Sequence, residues 1–336
     1  MKEALYYQKQ KSNVKCLLCP HSCIISNNKR GFCGVRENKD GKLYSLVYGK
    51  SCSTAVDPIE KKPLFHFMPG HSSFSISTVG CNFRCLHCQN FEISQAKEIF
   101  GKDLTPEKIV DMAKGYGCKS ISYTYTEPTI FYEYMVDTAK LAKKAGIKNV
   151  MVSNGYINED PLKELCKLID AANIDLKAMD AGFYKKVCSA RLEPVLNSLK
   201  ILKEKGVWLE ITNLIIPTYN DKINKIRELC LWVRDNLGKD VPLHFSRFYP
   251  MYKLNDLSPT PEEILLRAKN IAGEAGLNYV YIGNLPTEDG ENTHCPKCDG
   301  ILVERMGFSV VENKIIHGKC NCGESIAGVW GYKKQK

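Results

Sequence analysis

The sequence predicts an α/β chain. Its centre reads as a partial (β/α)6 TIM-like barrel, with an N-terminal Cys-rich metal-binding module before it and a C-terminal zinc-ribbon module after it. Three observations predict this. Between residues 71 and 284, seven β-rich runs alternate with six amphipathic helical runs, the pattern of right-handed βαβ units on a parallel sheet. Cys16, Cys19, Cys23 and Cys33 crowd the first part, residues 1–70. Cys295, Cys298, Cys320 and Cys322 bracket a strand-like stretch in the last part, residues 285–336.

The elements follow in order. "CLLCPHSC" and "GFCGVR" supply the first four cysteines at spacings x2, x3 and x9. Four thiolates at that density read as a closed tetrahedral site, zinc by preference, or as the ligands of a second iron–sulfur cluster. A short hairpin is expected around "NKDGKLYSLVYG", and "DPIEKKPLFHFMPG" reads as a structured linker. "SFSISTVG" is the first barrel strand. "TPEKIVDMAKGYG" is a helix with Thr105 as N-cap and Pro106 at its first position. "SISYTYTEP", "KNVMVSNG", "ANIDLKAMD", "VWLEITNLIIP", "VPLHFSRFYP" and "NYVYIG" are the remaining strands. The helix after "ANIDLKAMD" reads as one long stretch ending at "LKEKG", and "TPEEILLRAKNIAGEAG" repeats the Thr-Pro-Glu start with a capping box between Thr260 and Glu263. In the ribbon, "CPKC" and "CNC" bracket a hairpin; the second knuckle is one residue short, so His317 is a candidate to replace one thiolate.

Bulk properties narrow the function classes. No apolar run reaches 18 residues and the N-terminus has no apolar signal core, so a cytoplasmic protein with no membrane span is expected. Sixteen cysteines in that compartment point to metal or redox chemistry, not to disulfides. The formal charge of +10 invites a nucleic-acid reading. Ligating thiolates would about halve it, and the lysines are scattered, so an extended nucleic-acid surface is not expected.

Chemistry concentrates in "TVGCNFRCLHCQNFEIS". Cys81, Cys85 and Cys88 stand at x3 and x2 spacing in the loop after the first strand, the face where barrels of this kind carry their sites. A closed metal site takes four ligands. Three thiolates can hold three corners of a cubane and leave the fourth iron open for a substrate or cosubstrate. A zinc site completed by His87, or a redox pair with a bystander, is the competing reading. The solitary cysteines Cys52, Cys118, Cys166, Cys188 and Cys230 are assigned no role.

The Cys81-x3-Cys85-x2-Cys88 loop after the first strand resembles that of the radical S-adenosylmethionine (SAM) enzymes. The resemblance implies a 4Fe–4S cluster on Cys81, Cys85 and Cys88. It implies SAM chelated to the open iron, and a 5′-deoxyadenosyl radical that takes hydrogen from a substrate. It also implies a one-electron donor such as ferredoxin or flavodoxin. Family members often carry Gly-Gly-Glu after the second strand; here Tyr125 and Thr126 replace the glycines and Glu127 matches the acid that takes the SAM amino group. Ser153 and Asn154 end the third strand as polar ligand-loop residues. Asp175 and Lys177 resemble the Asp-x-Lys of glycyl-radical activases, near the SAM carboxylate. His87 stands where the family has an aromatic residue beside the adenine. On the sixth strand, His244, Arg247 and the following Tyr249 are candidate substrate contacts.

A nearer resemblance spans almost the whole chain. "CLLCPHSC", "DPIEKKPLFHFMPG", "GCNFRCLHCQNFEIS", "YTYTEPT", "HFSRFYP" and "CPKC", in this order, resemble the radical enzyme of the AmmeMemoRadiSam system. That implies Memo-like and AMMECR-type companion proteins. The group is similar to pyruvate formate-lyase activating enzyme, so an activase of a glycyl-radical enzyme is the alternative. A zinc-dependent nucleic-acid-binding or RNA-modifying protein is the alternative from another class.

Overall fold

The computed structural model describes residues 1–331. Seven parallel strands carry the fold: β1 (Ser72–Ser77), β2 (Ser120–Tyr123), β3 (Lys148–Ser153), β4 (Ala171–Asp175), β5 (Trp208–Ile215), β6 (Leu243–Arg247) and β7 (Val280–Gly283). Each pairs only with its sequence neighbours. A strand predicted in no reading of the sequence, Ser53–Pro58, adds antiparallel to β1 and makes the sheet mixed. Its six residues run directly into the Pro-rich stretch, which masked their period.

Six helices make the crossovers: α1 (Pro106–Gly115), α2 (Tyr132–Lys144), α3 (Glu159–Cys166), α4 (Glu193–Glu204), α5 (Ile223–Leu237) and α6 (Glu262–Glu274). A monotonic strand order with right-handed crossovers puts every helix on one face of the sheet. The other face and the strand C-termini are left for chemistry. α1 begins as expected: Thr105 Oγ1 accepts the Lys108 amide at 3.4 Å, and Pro106 occupies the first turn.

Two expectations about helices fail. Thr260 does not cap α6; it is buried, its hydroxyl donating to the Ile215 carbonyl (2.6 Å) and accepting the Phe248 amide (2.9 Å). A hydroxyl spent on tying two strand ends together is not free to cap. The long helix after β4 is broken instead into Ala181–Phe183, a wide π-turn at Tyr184–Cys188, a left-handed Ser189 (φ 57°) and then α4. The carbonyls of Val187 and Cys188 take the amides of Leu86 (3.0 Å) and Arg84 (2.9 Å). The break thus gives orphan helix-end acceptors to the cysteine loop.

The N-terminal part forms two three-stranded sheets. The expected hairpin pairs Arg36–Lys39 with Lys42–Ser45 through Asp40 and Gly41, both left-handed (φ 53° and 78°), as a type I′ turn requires. Val14, Leu18, Val35 and Leu43 join the same buried cluster as the parallel strands and their helices. Near the C-terminus, Ile301–Met306 and Ser309–Asn313 make the expected hairpin. Its apolar residues pack on Phe65, Tyr279 and Tyr281.

The Pro-rich stretch is a buried plug between these parts. Phe65, His66 and Phe67 are all buried, and the amides of Phe65 and His66 donate to the Glu210 carboxylate at 2.9 and 2.8 Å. His66 binds the Ala327 carbonyl through Nδ1 (2.7 Å) and faces the Tyr281 hydroxyl through Nε2. Burial lowers its pKa from 6.5 to about 4. Below 6.5 the unfolded chain takes up a proton that the folded chain refuses until about 4. The stability that neutral His66 contributes is therefore present above pH 6.5 and is lost as pH falls toward 4, by about 3 kcal/mol. His21 and His71 are lowered in the same direction, also chiefly by burial. The urea midpoint should fall steadily across this window. A flat profile would show that His66 is protonated in the folded protein.

Candidate active site

The C-terminal ends of β1 to β4 carry the predicted residues. After β1, Gly80 is left-handed (φ 96°), and a Cβ there would lie 2.8 Å from the Cys33 carbonyl and 2.5 Å from Val35 Cγ1. Only glycine lets the loop lie this close to the N-terminal part. Cys81, Cys85 and Cys88 follow. The Phe83 amide donates to Cys81 Sγ (3.3 Å), and Ser94 Oγ lies 3.1 Å from Cys88 Sγ. No three of these sulfurs lie within 4.8 Å of one another. A zinc tetrahedron, with metal–sulfur bonds of about 2.3 Å, has edges of about 3.8 Å. The loop sulfurs and His87 are not gathered into such a tetrahedron.

From β2 and β3, Glu127, Ser153 and Asn154 come together. Glu127 accepts the Thr129 amide (2.9 Å), the Ser153 hydroxyl (2.7 Å) and the Asn154 amide (2.8 Å). Burial raises its pKa, and these bonds oppose the rise. Asn154 Nδ2 donates to Asn82 Oδ1 (2.8 Å), which ties the group to the cysteine loop. Tyr125, standing where the family has glycine, takes the left-handed conformation a glycine would supply (φ 65°). Its hydroxyl donates to Asp57, and Asn90 Nδ2 donates to its carbonyl (2.7 Å).

Beyond β4, Lys177 Nζ pairs with Asp175 Oδ2 at 3.0 Å. Burial works against the Lys177 charge, but Asp175 and the thiols of Cys85 and Cys188 hold its pKa well above the ordinary value. Its backbone is clamped: the amide donates to the Tyr184 hydroxyl (3.1 Å), and Asn220 Nδ2 donates to its carbonyl (2.7 Å). His87 is only 7% exposed, and its Nδ1 has no partner. Burial and the Lys177 charge lower its pKa to about 3, so the ring is neutral.

The sixth-strand candidates divide. Arg247 ends β6 and donates to the Thr260 carbonyl (2.9 Å), with its guanidinium over the Tyr249 ring; Tyr249 is exposed. His244 lies near the opposite end of the strand, 3% exposed, bonded to Glu210 at 2.7 Å and stacked on Tyr281. It belongs to the buried network under the sheet. Sequence reasoning set Cys188 apart as solitary. Its thiol meets Cys85 and, as the leading cause, lowers the Cys85 pKa. Only the broken helix brings it there; no local spacing marks it. Asn82, Ser94, Asn213 and Asn220, which brace the loops, were likewise invisible.

In the last part, Cys295, Cys298, Cys320 and Cys322 all lie within 4.8 Å of one another. Cys295 and Cys322 stand 3.6 Å apart, Cys298 and Cys320 3.7 Å. These are zinc-sized edges. The short second knuckle reaches, and His317 is not in the group.

A family model described as the radical SAM superfamily matches residues 75–230. A putative glycyl-radical enzyme activating enzyme of Methanocaldococcus jannaschii is 30% identical over 206 residues, 59% of this chain and 76% of that protein. The chain belongs to the radical SAM superfamily. This radical SAM protein is also 53% identical over 332 residues to an uncharacterized protein of Methanocaldococcus jannaschii, 97% of this chain and 99% of that one. Pyruvate formate-lyase 1-activating enzyme of Escherichia coli K12 is 25% identical over 222 residues, 60% of this chain and 89% of that enzyme. A radical SAM methyltransferase from Sphaerobacter thermophilus shares the fold at TM-score 0.51 and 14% identity, covering 65% of this chain and 68% of the other. The protein is thus an enzyme of SAM-dependent radical chemistry, and membership implies a 4Fe–4S cluster and SAM. Three free cysteines in one short loop, no three of their sulfurs within 4.8 Å, are a donor set that such a cluster could use. Among the described residues, no helix is long and apolar enough to cross a membrane.

Proposed function

We propose that Cys81, Cys85 and Cys88 hold the cluster, that Glu127, flanked by Ser153 and Asn154, takes the SAM amino group, that Lys177 faces the SAM carboxylate, and that His87 lies beside the adenine. The carrying observation is convergence: four consecutive strand ends deliver three open thiols, the Glu127–Ser153–Asn154 group, the Asp175–Lys177 pair and an unpartnered neutral ring. When bound, the cluster and SAM supply a 5′-deoxyadenosyl radical for hydrogen abstraction. The protein's own part is orientation. Glu127, with three of its acceptor sites filled, orders the β3 end. Asp175 and the clamps on the Lys177 backbone hold that ammonium on one spot. Buried walls keep water away. Arg247 and Tyr249 remain as substrate contacts at the rim.

The surrounding reading is a partial (β/α)6 barrel in the cytoplasm, with zinc in the C-terminal ribbon and electrons from a ferredoxin or flavodoxin. Memo-like and AMMECR-type proteins are the proposed companions in an AmmeMemoRadiSam system. A glycyl-radical activase is the second reading, favoured by the Asp175–Lys177 pair and by the two relatives named as activating enzymes.

The test is anaerobic reconstitution, then dithionite and SAM, with 5′-deoxyadenosine measured. In Lys177→Met, loss of one charge-assisted contact should weaken SAM binding by about 10- to 100-fold while iron loading holds. Unchanged SAM affinity would remove Lys177 from the site. A wild-type protein that takes up zinc but no iron would refute the whole reading.

A further inference from the structure

The chain holds two groups of four cysteines, and they differ in a way that no spacing rule foretells. The ribbon sulfurs have collapsed to zinc-sized edges of 3.6 and 3.7 Å. Cys16, Cys19, Cys23 and Cys33 line a small cavity of about 20 Å³ that opens toward solvent. No three of their sulfurs come within 4.8 Å of one another. A single zinc ion would require shorter sulfur–sulfur distances, with edges of about 3.8 Å. A cubane sets its four thiolates at the corners of a larger tetrahedron, because each sulfur binds its own iron and the irons are separated by bridging sulfides. In the Cys81–Cys88 loop, too, no three sulfurs come within 4.8 Å of one another.

Two further features of the cavity point to an anionic, sulfur-rich occupant. Arg36 lines it, is 2% exposed, and keeps Nε without a partner, although its other nitrogens bind Glu133 and the Leu5 carbonyl. Thr129 lines it, is fully buried, and keeps Oγ1 without a partner. Unsatisfied buried donors are costly, and both residues can donate to sulfide or thiolate. The Phe32 amide already donates to Cys23 Sγ at 3.4 Å, the same kind of contact that Phe83 makes to Cys81.

We propose that Cys16, Cys19, Cys23 and Cys33 hold a second 4Fe–4S cluster, placed to pass electrons to the active-site cluster. The segments that carry these cysteines pack against the active-site loop. A Cβ on Gly80, the residue before Cys81, would meet the Cys33 carbonyl at 2.8 Å. His21, between Cys19 and Cys23, bonds the Asn82 carbonyl at 2.7 Å. Phe32, beside Cys33, stacks on the Arg84 guanidinium. With all four irons ligated, this cluster has no open position for SAM, so its chemistry is electron transfer. A low-potential one-electron donor reduces it, and that single electron moves inward; no bond forms or breaks and no proton is needed. The relay rests on the proposed function above; the cluster itself does not.

The experiment counts metals in the reconstituted full chain and in a variant with Cys81, Cys85 and Cys88 all replaced by Ala. The wild type should hold about eight irons and one zinc. The variant should keep about four irons, and its reduced electron paramagnetic resonance signal should ignore added SAM. The reduced wild type should show spin coupling between neighbouring clusters, absent from the variant. Four irons and two zincs in the wild type, with no iron in the variant, would overturn the proposal, and need only the wild-type count if the variant does not fold. Four irons in both proteins would uphold the N-terminal cluster and sink the active-site reading. Eight irons without coupling would overturn the relay.

Discussion

Cys85→Ala abolishes 5′-deoxyadenosine formation, by at least about 1,000-fold. Cys85 is the most buried of the three loop cysteines, 8% exposed, with the Leu86 and Arg84 amides on either side pinned to Val187 and Cys188. Without its thiolate an iron loses its only protein anchor, in a place water cannot fill. The instructive control is Cys188→Ala. Cys188 meets Cys85 inside the fold and is the further cysteine to test as a fourth ligand. If the three-ligand reading is right, Cys188→Ala keeps its iron and its nucleoside. Iron lost from Cys188→Ala would mean four ligands, a closed cluster and no place for SAM.

Arg36→Ala should cost about 3–5 kcal/mol of stability. Arg36 forks onto both oxygens of Glu133 at 3.2 and 3.0 Å, with side-chain exposures of 2% and 1%. Removing the cation leaves a carboxylate buried and unpaired, which is worse than removing both. The pair joins the N-terminal sheets to α2, so the loss should appear as a lower urea midpoint. The double variant Arg36→Met/Glu133→Leu should recover most of it. An Arg36→Ala midpoint within about 0.5 kcal/mol of wild type would show that water reaches the pair.

How much of this could be read beforehand depends on distance along the chain. The seven parallel strands and six crossover helices were legible because each declares itself within about ten residues by its period and its caps. The Cys81–Cys88 loop was legible because three cysteines lie within eight residues of one another, directly after a strand. Ser53–Pro58 was missed because prolines follow it, and Thr260 was misread because a local capping pattern was overridden by strand contacts to Ile215 and Phe248. His244 sits on a strand among candidate contacts, and only its bond to Glu210, 34 residues earlier, shows which end of the sheet it serves.

The sequence by itself determined the rhythm of the sheet, the loop that carries the cysteines, and the two outer cysteine groups, because ligand type and short spacing are properties of contiguous chain. Only the tertiary structure decided that Cys188 lies against Cys85, that the Pro-rich stretch is a buried plug, and that one four-cysteine group is drawn tight while the other stands open around a cavity. Spacing along the chain limits which sulfurs can meet. The distance at which they meet is decided by what packs behind them: here Arg36, Thr129 and Gly80, from three separate segments.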